Sequence, residues 1–215
     1  THLDDDHLQK TLENVNTSLT NGNIQRSWPN SFAWALYFSL APNAFAPLHQ
    51  TEFFSTKFPF GDDSGKRFTI VADGENTNLF DLWESGCGVF SSDKEIDWTR
   101  VNKLVKELES EYPYPGKYKP KKIDVIIENA KQYTIDNVYG DLKPGDKVSS
   151  SYLDKCQADV KKNIAEAAHF MGYHITSYRI FKPKQTKSTL NTVSGIASIA
   201  LISCLVVLVK KFHFN

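Results

Sequence analysis

The side chains best suited to chemistry lie in the first half of the chain. His49 follows Pro47 and Leu48, and Glu84 follows Trp83. An imidazole and a carboxylate are both common zinc ligands, so these two residues predict a metal site. The plainer alternative stays open: His49 as an ordinary loop histidine, and Glu84 as a carboxylate on a helix surface.

Two neighbouring cations form a second candidate site. Lys66 and Arg67 follow Gly65, in a stretch from Phe58 to Val71 whose glycines and aspartates are typical of a loop or a short hairpin. Cations in such a loop can contact phosphate groups as point charges. The pair is therefore predicted to bind substrate, with a solvated turn as the alternative.

Helices must position these residues, and one long helix gives the strongest local signal. Apolar residues recur at spacings of three or four from position 153 to position 178, which predicts an amphipathic helix capped by Ser151 and Asp154. This stripe consists of Leu153, Cys156, Val160, Ile164, Ala167, Met171, Ile175 and Tyr178. We expect the stripe to pack into the core.

Shorter helices are predicted on both sides of a long irregular insert. Apolar spacing indicates helices over residues 8–19, 32–40 and 123–138, and Asp97 is expected to cap a further helix that carries Val101, Val105 and Leu108. The insert covers residues 41–78 and includes both cations. Long loops in compact domains usually carry function. The fold class is therefore predicted to be all-α.

The C-terminal end is predicted to anchor the chain in a membrane. Residues 190–209 carry no charge, are long enough to span the hydrocarbon as a helix, and are followed by Lys210 and Lys211. The predicted organisation is a helical domain over residues 1–181, a basic linker over 182–189, one transmembrane helix over 190–209 and a tail over 210–215. This makes the chain a single-pass membrane protein.

Three further features bear on the compartment and the partner. The sequence Asn16-Thr17-Ser18 is a glycosylation acceptor pattern, which favours an extracellular or lumenal helical domain. Cys87 and Cys156 could form a disulfide there, and two buried free thiols are the alternative. The 25 basic residues balance 25 acidic ones, so net charge gives no argument for a nucleic-acid partner.

Three segments in order resemble the class I nucleases, the trinuclear-zinc enzymes of the S-one/P-one type that cleave single-stranded nucleic acid and 3′-nucleotides. The segments are APNAFAPLH at 41–49, FPFGDDSGKRF at 58–68 and NLFDLWESGCG at 78–88. The family motifs read H-x-x-x-D-[IV]-H-Q-P-L-H, F-P-x-G-D-x-G-G-N and N-L-H-x-x-W-D-S-G. The resemblance implies an all-α phospholipase C/nuclease-like domain, which here lacks the N-terminal part of the family domain.

The resemblance also implies a cofactor and a substrate. Zinc would activate water and neutralise phosphate, and single-stranded nucleic acid or nucleotides would be cleaved. The family's metal positions carry over onto His49 and Glu84 as strong ligands, and onto Asn43 as a degenerate one. His2 is a further candidate ligand near the start of the chain.

Substitutions at the other metal positions lead to three hypotheses about function. Two family histidines fall on Ser39 and Phe80, and the bridging aspartate falls on Asn43, whose amide oxygen is a poor zinc ligand. One hypothesis is a membrane-anchored nuclease with impaired zinc-dependent hydrolysis. Another is a catalytically inactive pseudo-nuclease that serves as a cell-surface binding or adhesion module for an unknown protein partner. An incomplete gene product is the third.

Overall fold

The computed structural model describes residues 7–20, 28–90 and 97–177. These residues form six α-helices and one two-stranded sheet. The helices are α1 (His7–Thr20), α2 (Trp28–Leu40), α3 (Leu79–Glu84), α4 (Trp98–Glu111), α5 (Ile123–Tyr133) and α6 (Ser150–Ser177). The strands are β1 (Thr69–Ala72) and β2 (Glu75–Asn78). Two short 3-10 helices, Ala41–Phe45 and Pro47–Gln50, follow α2.

The long amphipathic helix is confirmed as α6. Its apolar stripe is buried from Cys156 to Ile175, and it packs against the 3-10 helix that follows α2. The predicted cap is wrong. The backbone N–H of Tyr152 donates to Oγ of Ser149 at 3.1 Å, so the capping serine lies two positions before the predicted one. Ser149 precedes the first helical residue, whereas Ser151 already lies within the first turn.

The helix predicted after Asp97 is confirmed as α4. The carboxylate of Asp97 accepts hydrogen bonds from the backbone N–H groups of Thr99 at 2.9 Å and Arg100 at 3.1 Å. These bonds satisfy donors that lack a partner at a helix start. The buried face of α4 carries the predicted apolar residues Val101, Val105 and Leu108.

The predicted helix over residues 123–138 has two parts. It begins as α5 and continues as a π-helical segment, Thr134–Tyr139. Gly140 ends it with a positive φ of 47°, and its N–H donates to the carbonyl of Ile135. Such wider turns are uncommon and often lie at functional sites. Here the segment ends by burying Tyr139 beneath the insert.

The insert is largely irregular, as predicted, but its hairpin lies later than the predicted stretch. β1 and β2 pair antiparallel around Asp73 and Gly74, whose φ angles are 50° and 88°. Positive φ at both central residues is the geometry that Asp-Gly favours in tight hairpins. The segment just before α6 holds β1 in place, because Val148 donates its N–H to the carbonyl of Val71 at 2.9 Å.

The all-α character agrees with this helical architecture, but the predicted fold class, with a transmembrane helix, is contradicted in the part of the chain that the structure describes. Within residues 7–20, 28–90 and 97–177, no helix combines the length and apolarity needed to cross a membrane. The longest, α6, has 28 residues but carries charges such as Asp159 and Lys161 along its length. The predicted linker, span and tail over residues 182–215 lie outside the described residues.

Candidate functional site

His49 and Glu84 contact each other directly. His49 lies in the 3-10 helix Pro47–Gln50, and Glu84 is the last residue of α3. The distance from Nε2 of His49 to Oε1 of Glu84 is 2.7 Å, and the two side chains are 17% and 8% exposed. The two residues predicted as strong ligands are thus brought together, and each occupies a coordinating atom of the other.

Local geometry explains the position of Glu84. Asn78 caps α3, because its side-chain oxygen accepts from the N–H of Asp81 at 2.8 Å. The next-to-last residue, Trp83, donates its indole N–H to the hydroxyl of Tyr152 at 2.9 Å. That hydroxyl in turn donates to the carbonyl of Val138 at 2.7 Å. Burial raises the pKa of Tyr152 to about 12, although the Trp83 bond opposes this, so the hydroxyl stays protonated.

Phe80 lies one turn before Glu84 on α3, at a position where the family motif has a histidine. Its ring centroid is 5.6 Å from that of His49. The ring carries no donor atom for a metal. Half-buried, it takes the space beside the imidazole that a ligand side chain would otherwise fill.

Of the two predicted substrate cations, Lys66 lies next to this ring. Nζ of Lys66 is 5.1 Å from the Phe80 centroid, within cation–π range. The preceding Gly65 has φ of 91°, and a Cβ there would be 3.2 Å from the backbone nitrogen of Phe80. Glycine therefore allows the loop to pack closely against the start of α3. Arg67 is also exposed, and its backbone N–H donates to the carbonyl of Asp62.

Glu84 also lines an apolar pocket. Among the residues that the structure describes, Oε2 of Glu84 has no hydrogen-bond partner, and the whole residue is 7% exposed. The pocket lies between the two 3-10 helices, α3 and α6. Sequence reasoning placed Val160, Ile164 and Ala167 in the core stripe of α6 but did not identify them as pocket walls. No pattern in the sequence distinguishes the two roles.

The two cysteines of the helical domain form a disulfide that supports the site. Cys87 and Cys156 are joined, with their Cα atoms 6.1 Å apart. The side chain of Gln157 also donates to the carbonyl of Cys87 at 2.8 Å. Both links hold the turn after α3 against α6, and so they fix the distance across the pocket.

Asn43 and His2 stay predictions as metal ligands. The backbone carbonyl of Asn43 accepts from the side chain of Gln50 at 2.7 Å. His2 lies outside the described residues. Across the described ranges, no three His, Cys, Asp or Glu side chains are grouped to hold a metal ion. Asn16 lies in α1 with its side-chain oxygen buried, and its glycosylation stays a prediction.

A buried aspartate beneath the insert was missed by sequence reasoning. Asp62 is 0% exposed and accepts from the N–H of Phe53 at 3.0 Å and from the hydroxyl of Tyr139 at 2.8 Å. It connects the insert to the π-helical segment. The Gly-Asp pair within the second nuclease-like motif was the signal that could have singled it out.

Comparison with known proteins decides the family. Residues 3–178, most of the chain, match the family described as S1/P1 Nuclease. The chain belongs to the S1/P1 nuclease family. The resemblance seen in the three motifs is therefore confirmed, and so is the nuclease-family character of the helical domain. No curated protein matches the chain.

The donor set of the described residues does not fit the zinc cluster of the S1/P1 nuclease family. Two donors remain, His49 and Glu84, and they are hydrogen-bonded to each other. Phe80 offers no ligand atom, and the amide oxygen of Asn43 is a poor zinc ligand. A trinuclear centre needs several more imidazole or carboxylate ligands around each ion. We therefore derive no chemical step through zinc.

Proposed function

We propose that this member of the S1/P1 nuclease family binds single-stranded nucleic acid or nucleotides without hydrolysing them efficiently. The observation that carries the proposal is the 2.7 Å contact between Nε2 of His49 and Oε1 of Glu84, with the Phe80 ring beside it. The two strongest candidate ligands are engaged with each other, and an apolar ring stands where a third would be.

The chemistry of phosphodiester cleavage explains why this arrangement weakens hydrolysis. The attacking and leaving oxygens both need charge stabilisation, which paired metal ions supply in phosphoryl-transfer enzymes. His49 and Glu84 together carry at most one acid–base pair, and their contact leaves His49 without a free Nε2. An acid–base pair alone contributes about 10²–10⁴-fold in rate, far less than a complete phosphodiesterase site provides.

Binding has its own support in this chain. Lys66 and Arg67 are exposed, and the Phe80 ring lies below the Lys66 ammonium. Cations that contact phosphates give affinity that falls with salt, by a slope of roughly 0.7 per contact for single strands. With two such contacts, the proposed affinity is modest and the logarithmic slope is about −1.4.

Zinc content and hydrolysis test the loss of catalysis, with the full chain purified without chelators. We expect far less than one zinc ion per chain by elemental analysis, and no chelator-sensitive cleavage of single-stranded DNA, RNA or a 3′-nucleotide. Two or three zinc ions per chain, together with chelator-sensitive cleavage, would overturn the proposal.

A labelled single-stranded oligonucleotide tests binding. We expect Lys66→Ala/Arg67→Ala to weaken binding and to flatten its salt dependence. The matched control is Lys106→Ala, which removes an exposed cation on α4 away from the loop. Equal losses for the double variant and the control would contradict the assignment of these two cations.

A second candidate function is weak hydrolysis with one zinc ion. It is favoured by one observation, the survival of an imidazole and a carboxylate side by side at family metal positions. Glu84→Ala separates the two candidates, because it would abolish both zinc binding and cleavage if a single ion acted there. Unchanged zinc content and cleavage in Glu84→Ala would exclude this site as the source of activity.

A further inference from the structure

The pocket beside Glu84 combines apolar walls with a buried acid. Its walls include Phe45, Pro47, Trp83, Phe90, Val160 and Ile164. The polar side chains in its lining are those of Glu84 and Asn163. The cavity volume is about 50 Å³, so a few non-hydrogen atoms fill it.

This acid lines the cavity and has one unsatisfied carboxylate oxygen. Oε1 of Glu84 is bonded to His49, whereas Oε2 is buried and has no hydrogen-bond partner among the described residues. A buried carboxylate with an unpaired oxygen is costly in free energy, and a cation that donates a hydrogen bond removes much of that cost. Among the described residues, Oε2 of Glu84 thus lacks a hydrogen-bond donor, whereas Oε1 is bonded to His49.

We infer that this pocket binds the ammonium group of a small primary alkylamine. The ammonium N–H donates to Oε2 of Glu84, and the alkyl chain packs against Phe45 and Trp83. The inference rests on the proposed function, because a zinc ion on Glu84 would take the same carboxylate.

Size and chemistry select this ligand class. Pockets for drug-sized molecules measure roughly 300–1,000 Å³, so a nucleotide does not fit within the cavity. A divalent cation needs several oxygen ligands, and the lining side chains offer Glu84 and Asn163. Phe45 and Trp83 line the pocket, and aromatic rings attract cations. A quaternary ammonium has no N–H for the unpaired oxygen, which favours a primary amine.

The test titrates the full chain with n-butylammonium chloride and follows the indole N–H of Trp83 by NMR. Two probes serve as controls: n-butanol, which has the same chain without charge, and tetramethylammonium, which has charge without an N–H. We expect saturable shifts with butylammonium and binding weaker by about tenfold or more for both controls. Equal binding of butylammonium and butanol would overturn the inference, because it would show an apolar pocket alone.

A variant pair tests the role of the carboxylate. Glu84→Gln keeps the side-chain shape but removes the charge, so butylammonium affinity should fall by about tenfold. Glu128→Gln, which changes an exposed glutamate on α5, should leave that affinity unchanged. Unchanged affinity in Glu84→Gln contradicts the inference, and the comparison of probes on the natural chain remains decisive if this variant does not fold.

Zinc analysis of the same sample separates this inference from the proposed function. A zinc-free chain that does not bind butylammonium would overturn the inference alone. A chain that carries zinc on Glu84 and does not bind butylammonium would overturn both.

Discussion

The hydroxyl of Tyr139 donates a 2.8 Å hydrogen bond to the carboxylate of Asp62, across 77 positions of sequence. Both residues are buried, and the other oxygen of Asp62 accepts from the N–H of Phe53. Burial and the bond to Asp62 raise the pKa of Tyr139 well above its usual value, so this hydroxyl keeps its proton. The Asp62 carboxylate is therefore one of the links that attach the irregular insert to the helical core.

Removing that carboxylate should destabilise the whole domain. Asp62→Ala leaves the Tyr139 hydroxyl and the Phe53 N–H buried without acceptors, and we expect a loss of about 2–4 kcal/mol in the free energy of unfolding. Tyr139→Phe keeps the ring and should cost about 1–3 kcal/mol. Urea unfolding measures both, and Asp141→Ala, at an exposed site, is the control. Comparable losses at positions 62 and 141 would show that the buried bonds contribute little.

A single substitution should create a zinc site where the natural chain lacks one. Phe80→His places a second imidazole one turn before Glu84, and the ring centroids of positions 49 and 80 are 5.6 Å apart. Two imidazoles and a carboxylate form a known three-ligand zinc set. We expect elemental analysis to find roughly one zinc ion per chain. Phe80→Gln is the matched control and should bind none. If Phe80→His does not bind zinc, zinc does not displace the hydrogen bond between His49 and Glu84.

The disulfide should contribute strongly to stability. Cys87 and Cys156 are 69 residues apart, and closing a loop of that length restricts the unfolded chain by about 4 kcal/mol in the entropic model. Cys87→Ala/Cys156→Ala should therefore lower the melting temperature markedly. Cys204→Ala, at the third cysteine of the chain, is the control. A reductant should lower the melting temperature of the natural chain to that of the double variant. It should leave the melting temperature of the double variant unchanged.

Stability should fall in mild acid because of a half-buried histidine. His174 packs against Phe170, with ring centroids 4.5 Å apart, and burial lowers its pKa to about 4. Burial also lowers the pKa of His169. In the unfolded chain both histidines bind a proton near pH 6.5, whereas in the folded chain they bind it only at lower pH. The stabilisation is therefore fully present above pH 6.5 and declines as the pH falls towards 4.

Urea unfolding at several pH values checks this expectation. Between pH 7 and pH 4.5, His174 should account for a loss on the order of 2 kcal/mol. His174→Phe keeps an aromatic ring against Phe170 and should flatten that part of the profile. An identical pH dependence in the variant and the natural chain would assign the acid sensitivity to other groups.

Local signals were sufficient to predict the longer helices, but not the six-residue α3. The helix α4 follows from Asp97 and the spacing of Val101, Val105 and Leu108, because a cap and a period of 3.6 are properties of a short segment. The hairpin was placed too early, since its strands have four residues each and the Asp73-Gly74 signal is brief. The span over residues 190–209 was predicted from apolarity, length and the Lys210-Lys211 flank, and no helix of the described residues combines the length and apolarity of a span.

The site could be predicted only in part. Residue type and family resemblance single out His49 and Glu84, but their contact depends on how two segments 35 positions apart pack together. The cation–π contact of Lys66 with Phe80 depends on a glycine that lets two backbones approach. The composition around Asp62 is typical of an exposed turn. Its burial depends on the packing of Tyr139, which is 77 positions away in the sequence.

The bond between Cys87 and Cys156 also changes what a backbone cut would do. All of α4, α5 and the π-helical segment lie between the two cysteines, inside one covalent ring. A protease that cleaves a single peptide bond in this ring opens it without releasing a fragment. The product has the mass of the intact chain plus one water, and it separates into two polypeptides only after reduction.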